Sequence, residues 1–120
     1  MSFEFISRAA IGIGIMIALD VVAGITAAAS NGDIDSKKLR QGLMHKLGLV
    51  IAFALSVALE YECSILPLDI AVPLVAPISV YIVFMEACSV YENVTQINPD
   101  FRPEKFEDLF RNTRGKDNHE

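Results

Sequence analysis

Three long apolar stretches, separated by short polar stretches, dominate the chain. The first covers residues 9–30 and is interrupted only by Asp20 and by hydroxyl side chains. A helix of this length extends about 33 Å, which is enough to cross a hydrocarbon core of about 30 Å. We expect the second span at about residues 43–61 and the third at about 68–91. The pattern therefore predicts an all-α integral membrane protein with three transmembrane helices.

Short sequence signals indicate where the helices in these stretches begin, end or bend. A turn is predicted at Asn31–Asp33, and Ser36 is a candidate N-cap for a helix that follows it. The second stretch reaches spanning length provided that the Lys46 side chain extends toward the lipid headgroups. Pro73 and Pro77 fall within the third predicted span, where a proline kinks a helix and removes a backbone hydrogen bond.

The distribution of lysine and arginine predicts the orientation in the membrane. The first polar connection contains four basic residues, the second contains none, and the tail contains five. Short loops rich in Lys and Arg remain on the cytoplasmic side. We therefore expect the N-terminus outside and the C-terminus in the cytoplasm. Residues 1–98 then form the transmembrane domain, and residues 99–120 form a polar cytoplasmic tail with a short amphipathic helix carrying Phe106, Leu109 and Phe110 on one face.

Composition agrees with a membrane protein and argues against several other classes. Apolar residues make up 52% of the chain, above the about 45–50% typical of soluble domains. The net charge of −5 disfavours nucleic acid as a partner. No catalytic motif and no Cys/His metal spacing occurs, so we expect no enzyme activity, no cofactor and no metal site. Cys63 and Cys88 are expected at opposite ends of the third span, which excludes an intrachain disulfide.

Asp20 is the main candidate for a functional residue because it lies near the middle of the first span. A charged side chain at this depth is costly and is a functional-site hypothesis by default. Gly24 and Ala28 follow it on the same face, and Gly48 and Ala52 form a second face of small residues, which favours close helix packing. Two interpretations remain open: a packing face whose acid is protonated or paired, and a polar surface that lines a pore or drives assembly.

Four further polar residues are candidates for the same surface. Lys46 is the base closest to the hydrophobic boundary, and Glu86 lies at a similar depth, so a pair between Lys46 and either Glu86 or Asp20 is a hypothesis. Glu86, Ser89 and Asn93 share one face of the third helix. This face is either a solvated helix exit or a polar strip directed at other subunits.

Three elements in this order resemble the bacteriophage holin family, which includes the clostridial toxin-secretion proteins. They are Asp20 followed by Gly24, the polar segment from Asp35 to Lys46, and the segment from Glu86 to Asn93. The resemblance implies a homo-oligomer in the bacterial cytoplasmic (inner) membrane that opens lesions at a set time. Through such lesions an endolysin reaches the peptidoglycan and lyses the host cell, and related proteins export toxins.

The resemblance covers about Ile15 to Pro99 and departs from the family near its end. Members often have a Leu-Gly step before the proline. This chain instead reads Val-Thr-Gln-Ile-Asn-Pro from Val94 to Pro99. Two other interpretations of the same residues remain. One is a small ion-coupled transporter that binds protons or cations through its intramembrane acids. The other is a non-conducting antiholin or membrane anchor that restrains a partner through its tail.

Overall fold

The computed structural model of the chain describes residues 2–67, 72–105, 107–108 and 110–111. Helix α1 spans Phe3–Ser30, α2 spans Ser36–Ile65, and α3 spans Val75–Ile97. All three are long and apolar enough to cross a membrane, with mean hydropathies of 2.1, 1.8 and 1.3 over their most apolar stretches. The prediction of an all-α protein with three membrane-spanning helices is confirmed.

The helices bury few apolar side chains against one another. Among the described residues, the buried apolar side chains are Ile13, Ala27, Val75 and Ile82, whereas large apolar residues along all three helices are exposed. A soluble domain of this length would bury a much larger core. Helix α3 packs mainly against α1 and less against α2. The outer faces of the helices are therefore suited to contact lipid.

Helix α1 begins earlier than the apolar pattern indicates. The Ser2 hydroxyl accepts a hydrogen bond from the Phe5 amide at 3.2 Å, which caps the helix at its N-terminus. Glu4 and Arg8 form an ion pair of 2.8 Å across the first turns. The polar lead that precedes residue 9 is consequently part of the helix.

The turn predicted after α1 is a Schellman motif. Gly32 has a φ of +68°, the left-handed conformation that glycine adopts without strain. The Gly32 amide donates to the Ala29 carbonyl at 3.2 Å, and the Asp33 amide donates to the Ala28 carbonyl at 2.9 Å. These bonds satisfy the last carbonyls of α1 and send the chain back along it.

Helix α2 begins at Ser36, so the prediction that Ser36 is the N-cap was wrong by one residue. Asp35 is the cap, and its carboxylate accepts from the Lys37 amide at 2.9 Å. A carboxylate at this position interacts favourably with the positive end of the helix dipole. The positively charged lysines of the first turn interact unfavourably with the same end. The basic connection is therefore largely helical and continuous with the second span.

Helix α3 begins at Val75, so neither proline lies in its interior. Pro73 precedes the helix, and Pro77 occupies its third position. Amides of the first turn have no acceptor within the helix, so a proline there removes no hydrogen bond. The expectation that these prolines remove a hydrogen bond inside the helix was wrong for this reason. Residues 68–71 of the predicted third span lie outside the described residues.

The chain turns sharply after α3. Asn98 caps a 3₁₀ helix at Pro99–Phe101, and the Tyr91 hydroxyl donates to the Phe101 carbonyl at 2.7 Å. Residues 103–105, 107–108 and 110–111 are helical. Phe106 and Leu109 lie outside the described residues, so the amphipathic face of the tail stays a prediction.

Candidate functional site

Three charged side chains, one from each long helix, meet inside the bundle. The Lys46 ammonium of α2 donates to Asp20 Oδ2 of α1, and to Glu86 Oε2 of α3 at 2.9 Å. The two acidic side chains are 3% exposed and the lysine side chain is 14% exposed. The two pairs considered as alternatives from the sequence thus occur together, with one ammonium between two carboxylates.

Two neutral donors from α3 complete this site. The Ser89 hydroxyl donates to Asp20 Oδ1 at 2.7 Å, and the Asn93 side-chain amide donates to the same oxygen at 3.1 Å. Asp20, Lys46, Glu86, Ser89 and Asn93 are called the polar cluster below. The polar face of α3 is directed at Asp20 of its own chain. A buried carboxylate with this many donors is well compensated for its lost hydration.

The sequence spacing on α1 and α3 explains how the cluster forms. Ser89 contacts Asp20, and Asn93, four residues later, lies beside Gly24, four residues after Asp20. The two helices are therefore parallel and in register along this face. A Cβ atom added to Gly24 would lie 3.5 Å from Asn93 Nδ2, so the small residue lets α3 come close.

The direction of the Lys46 side chain corrects an assumption about the second span. Its ammonium turns inward to Asp20 and Glu86 and does not extend along the helix toward headgroups. The Lys46 ammonium is paired by two carboxylates at its own depth, so it does not need to reach the headgroup region to be compensated for its lost hydration. The spanning length of α2 is thus compatible with a lysine inside the bundle because that lysine is paired.

An open cleft of about 240 Å³ connects the polar cluster to the turn between α1 and α2. Its walls include Asp20, Lys46, Ser89 and Asn93 of the cluster, the small residues Gly24 and Ala28, and Asp33, Asp35 and Lys38 near the turn. Such a volume holds several waters, and the polar side chains within the mostly apolar walls can hydrogen-bond them. The cluster is therefore reachable by water from one end of the bundle.

The small residues predicted on the second span are not part of this site. Gly48 is exposed, and a Cβ atom added there would meet no atom of the described residues within 4 Å. Ala52 is half-buried, and one turn later Ser56 is buried, with its hydroxyl donating to the Phe53 carbonyl at 2.7 Å. The structure thus separates Gly48 and Ala52 from the cleft-lining pair Gly24 and Ala28.

A contact at the opposite end of the bundle, between α2 and the start of α3, was not predicted from the sequence. The Glu60 side chain of α2 accepts from the Val75 amide at 2.8 Å and so caps α3. Leu74, the residue at the N-cap position, makes no side-chain bond of its own. An acid near the end of a span is a recognisable signal, but its partner is distant in the chain, and local capping rules do not identify it.

The comparisons with known proteins agree with the membrane fold. No curated protein and no solved structure gave a match. The model of the bacteriophage holin family matches residues 3–114, which include all three helices and the whole polar cluster. This is a family of non-enzymatic membrane proteins, which confirms the prediction that the chain is not an enzyme. The chain is a multi-pass membrane protein that belongs to the bacteriophage holin family.

Proposed function

We propose that the protein is a holin that oligomerises in the bacterial cytoplasmic membrane and opens lesions for an endolysin. The observation that carries this proposal is the family match over residues 3–114. The lesions give the endolysin access to the cell wall without direct contact between the two proteins. A member that serves its host in place of a phage would export a toxin by the same means.

The surface of the single chain supports lateral assembly. Apolar side chains cover the outer faces of all three helices, and Gly48 has open space beside it. In lipid, small residues allow helices of neighbouring copies to approach closely. The polar cluster supplies groups that can become hydrated when copies rearrange into a lesion. In this proposal the candidate residues Asp20, Lys46, Glu86, Ser89 and Asn93 move from the bundle interior to a lesion wall.

Lysis of cells tests the proposal directly. Expression of the chain in a bacterium should stop growth abruptly, and co-expression with an endolysin that lacks its own export signal should release cytoplasmic protein. The endolysin alone and the chain alone are the controls. Absence of lysis at high levels of membrane-inserted chain would overturn the proposal. Release of a reporter toxin without loss of viability would assign the chain to export.

The orientation in this proposal is N-terminus outside and C-terminus inside, as the basic first connection favours. Cys63 lies near the end of α2, and Cys88 lies on the exposed side of α3 between Glu86 and Ser89. A thiol reagent that cannot cross membranes should label Cys63 and not Cys88 in intact cells. Cys63→Ser removes the signal as a control, and labelling of Cys88 alone would reverse the orientation.

A second candidate function, an ion-coupled transporter, is favoured by the charged side chains in the polar cluster. Asp20 and Glu86 surround one ammonium at a depth where transporters bind protons or cations. Saturable ion flux through vesicles, without release of protein, would support this alternative. An antiholin or anchor would instead delay lysis by a second holin and produce none by itself.

A further inference from the structure

We propose that the polar cluster is a proton-binding site, in which Glu86 carries a proton that exchanges with water through the cleft. The proposal concerns the state of a single chain and does not depend on whether the chain forms lesions. It rests on the charge balance of the cluster, on the uneven distribution of hydrogen-bond donors, and on the position of the cleft.

The charge balance leaves one negative charge too many. With all three groups ionised, Asp20 and Glu86 contribute two negative charges against the single positive charge of Lys46. The other charged groups on the cleft are Asp33, Lys38 and the N-cap carboxylate of α2, near the turn. Lys38 Nζ already lies 4.0 Å from Asp33 Oδ2. No second cation contacts either acid among the residues that the structure describes, so one bound proton makes the cluster neutral.

The donors identify which acid holds that proton. Among the described residues, Asp20 accepts from Lys46, Ser89 and Asn93, whereas Glu86 accepts only from Lys46. Hydrogen bonds to a carboxylate favour its ionised form. Asp20 is therefore the acid that stays charged opposite the ammonium. Glu86, which is equally buried and has fewer donors, is the acid that is neutral when the proton is bound.

The cleft gives the site access from one side. It extends from Asp20 and Lys46 to Asp33 and Lys38 at the α1–α2 turn. On the opposite side of the cluster lie the buried side chains of Ile13, two turns before Asp20 on α1, and Ile82, one turn before Glu86 on α3. Water enters a cleft of this volume where polar side chains contribute to its walls, whereas buried apolar side chains offer it no hydrogen-bond partner. Glu86 does not itself line the cleft, so its proton exchanges with the aqueous phase at the α1–α2 end through Lys46, which lines the cleft and contacts Glu86 Oε2.

Infrared spectroscopy of the full chain in lipid vesicles, with isotope-labelled glutamate, detects the proton itself. Above about pH 6, where ordinary exposed glutamates are ionised, the wild type should show one protonated glutamate carboxyl band that disappears reversibly as the pH rises further. Glu86→Gln should abolish the band, and Glu92→Gln, an exposed acid on the same helix, should leave it unchanged. Glu86→Asp should abolish the glutamate band and produce an aspartate band in a sample with labelled aspartate. Circular dichroism verifies that each variant retains its helices.

Three outcomes would overturn the proposal. Absence of a protonated carboxyl band above about pH 6, with the helices intact, would show that both acids are ionised. A band that survives Glu86→Gln and disappears in Asp20→Asn would place the proton on the wrong acid. A band that appears only after Na⁺ and K⁺ are removed would show that the site binds a metal cation. Each result is independent of cell lysis, so failure of the proposed holin function would be recognised separately.

Cysteine accessibility tests the path of the proton. In a chain with both native cysteines changed to serine, Ala28→Cys on the cleft wall should react with a small water-soluble thiol reagent. Ile82→Cys, on the closed side of the cluster, should remain unlabelled. Equal labelling at the two positions would overturn access from one side.

Discussion

Removal of the Lys46 ammonium should destabilise the bundle more than removal of any exposed lysine. Lys46→Met preserves the length and apolar part of the side chain but leaves Asp20 and Glu86 without their shared donor. Breaking a buried ion pair by deleting one partner costs about 3–5 kcal/mol. Asp20 keeps its bonds to Ser89 and Asn93, which favours the lower end of this range. A loss of about 3 kcal/mol corresponds to a roughly hundredfold decrease in the folding equilibrium constant.

Reversible unfolding in mixed detergent micelles, followed by circular dichroism, measures this loss. Lys38→Met is the matched control, because Lys38 lies 4.0 Å from Asp33 with both side chains mostly exposed. Such surface pairs contribute about 0–1 kcal/mol. Combining Lys46→Met with Asp20→Asn and Glu86→Gln should recover much of the stability, since no buried charge is left unpaired. Unfolding of Lys46→Met at the same denaturant concentration as Lys38→Met would contradict a stabilising role of the buried Lys46 ammonium.

Three further substitutions test the packing, capping and turn geometry with the same unfolding assay. Gly24→Ala should leave the stability nearly unchanged because the added Cβ lies 3.5 Å from Asn93 Nδ2, an ordinary contact. Gly24→Leu should displace Asn93 and separate α1 from α3. Equal stability of the two variants would contradict this packing. Glu60→Ala should cost about 0.5–2 kcal/mol through loss of the cap on α3, with the exposed Glu62→Ala as control. Gly32→Ala should cost about 1–2 kcal/mol because an L side chain is strained at a φ of +68°, and an unchanged midpoint would argue against the Schellman turn.

The number and order of the helices were predictable because lipid imposes a simple requirement. A span needs about twenty apolar residues with every backbone group bonded within the helix, and three stretches meet it. The start of α3 was harder to predict. Apolar residues before Val75 continue the hydropathy signal, while the positions of Pro73 and Pro77 decide where the helix begins. Hydropathy alone does not distinguish apolar residues that precede the helix from apolar residues that belong to it.

The members of the polar cluster were predictable, but their arrangement was not. Depth in the membrane restricted Lys46 to Asp20 or Glu86, and helical spacing placed Ser89 and Asn93 on one face. Whether Lys46 binds one acid or both depends on the rotation of each helix about its own axis. That rotation follows from side-chain contacts between helices, which no local pattern encodes. The role of Glu60 was missed for the same reason.

The contact between Glu60 and Val75 has a mechanical consequence. Helix α3 is fastened to α2 at two places, by Glu60 at its first residue and by Lys46 at Glu86. These fastenings are separated by about 16 Å along the axis of α3. Two contacts at different heights along α3 restrain its tilt relative to α2 more than a single contact would. A transition that separates α2 from α3 must therefore break both contacts, which lie at different heights along α3.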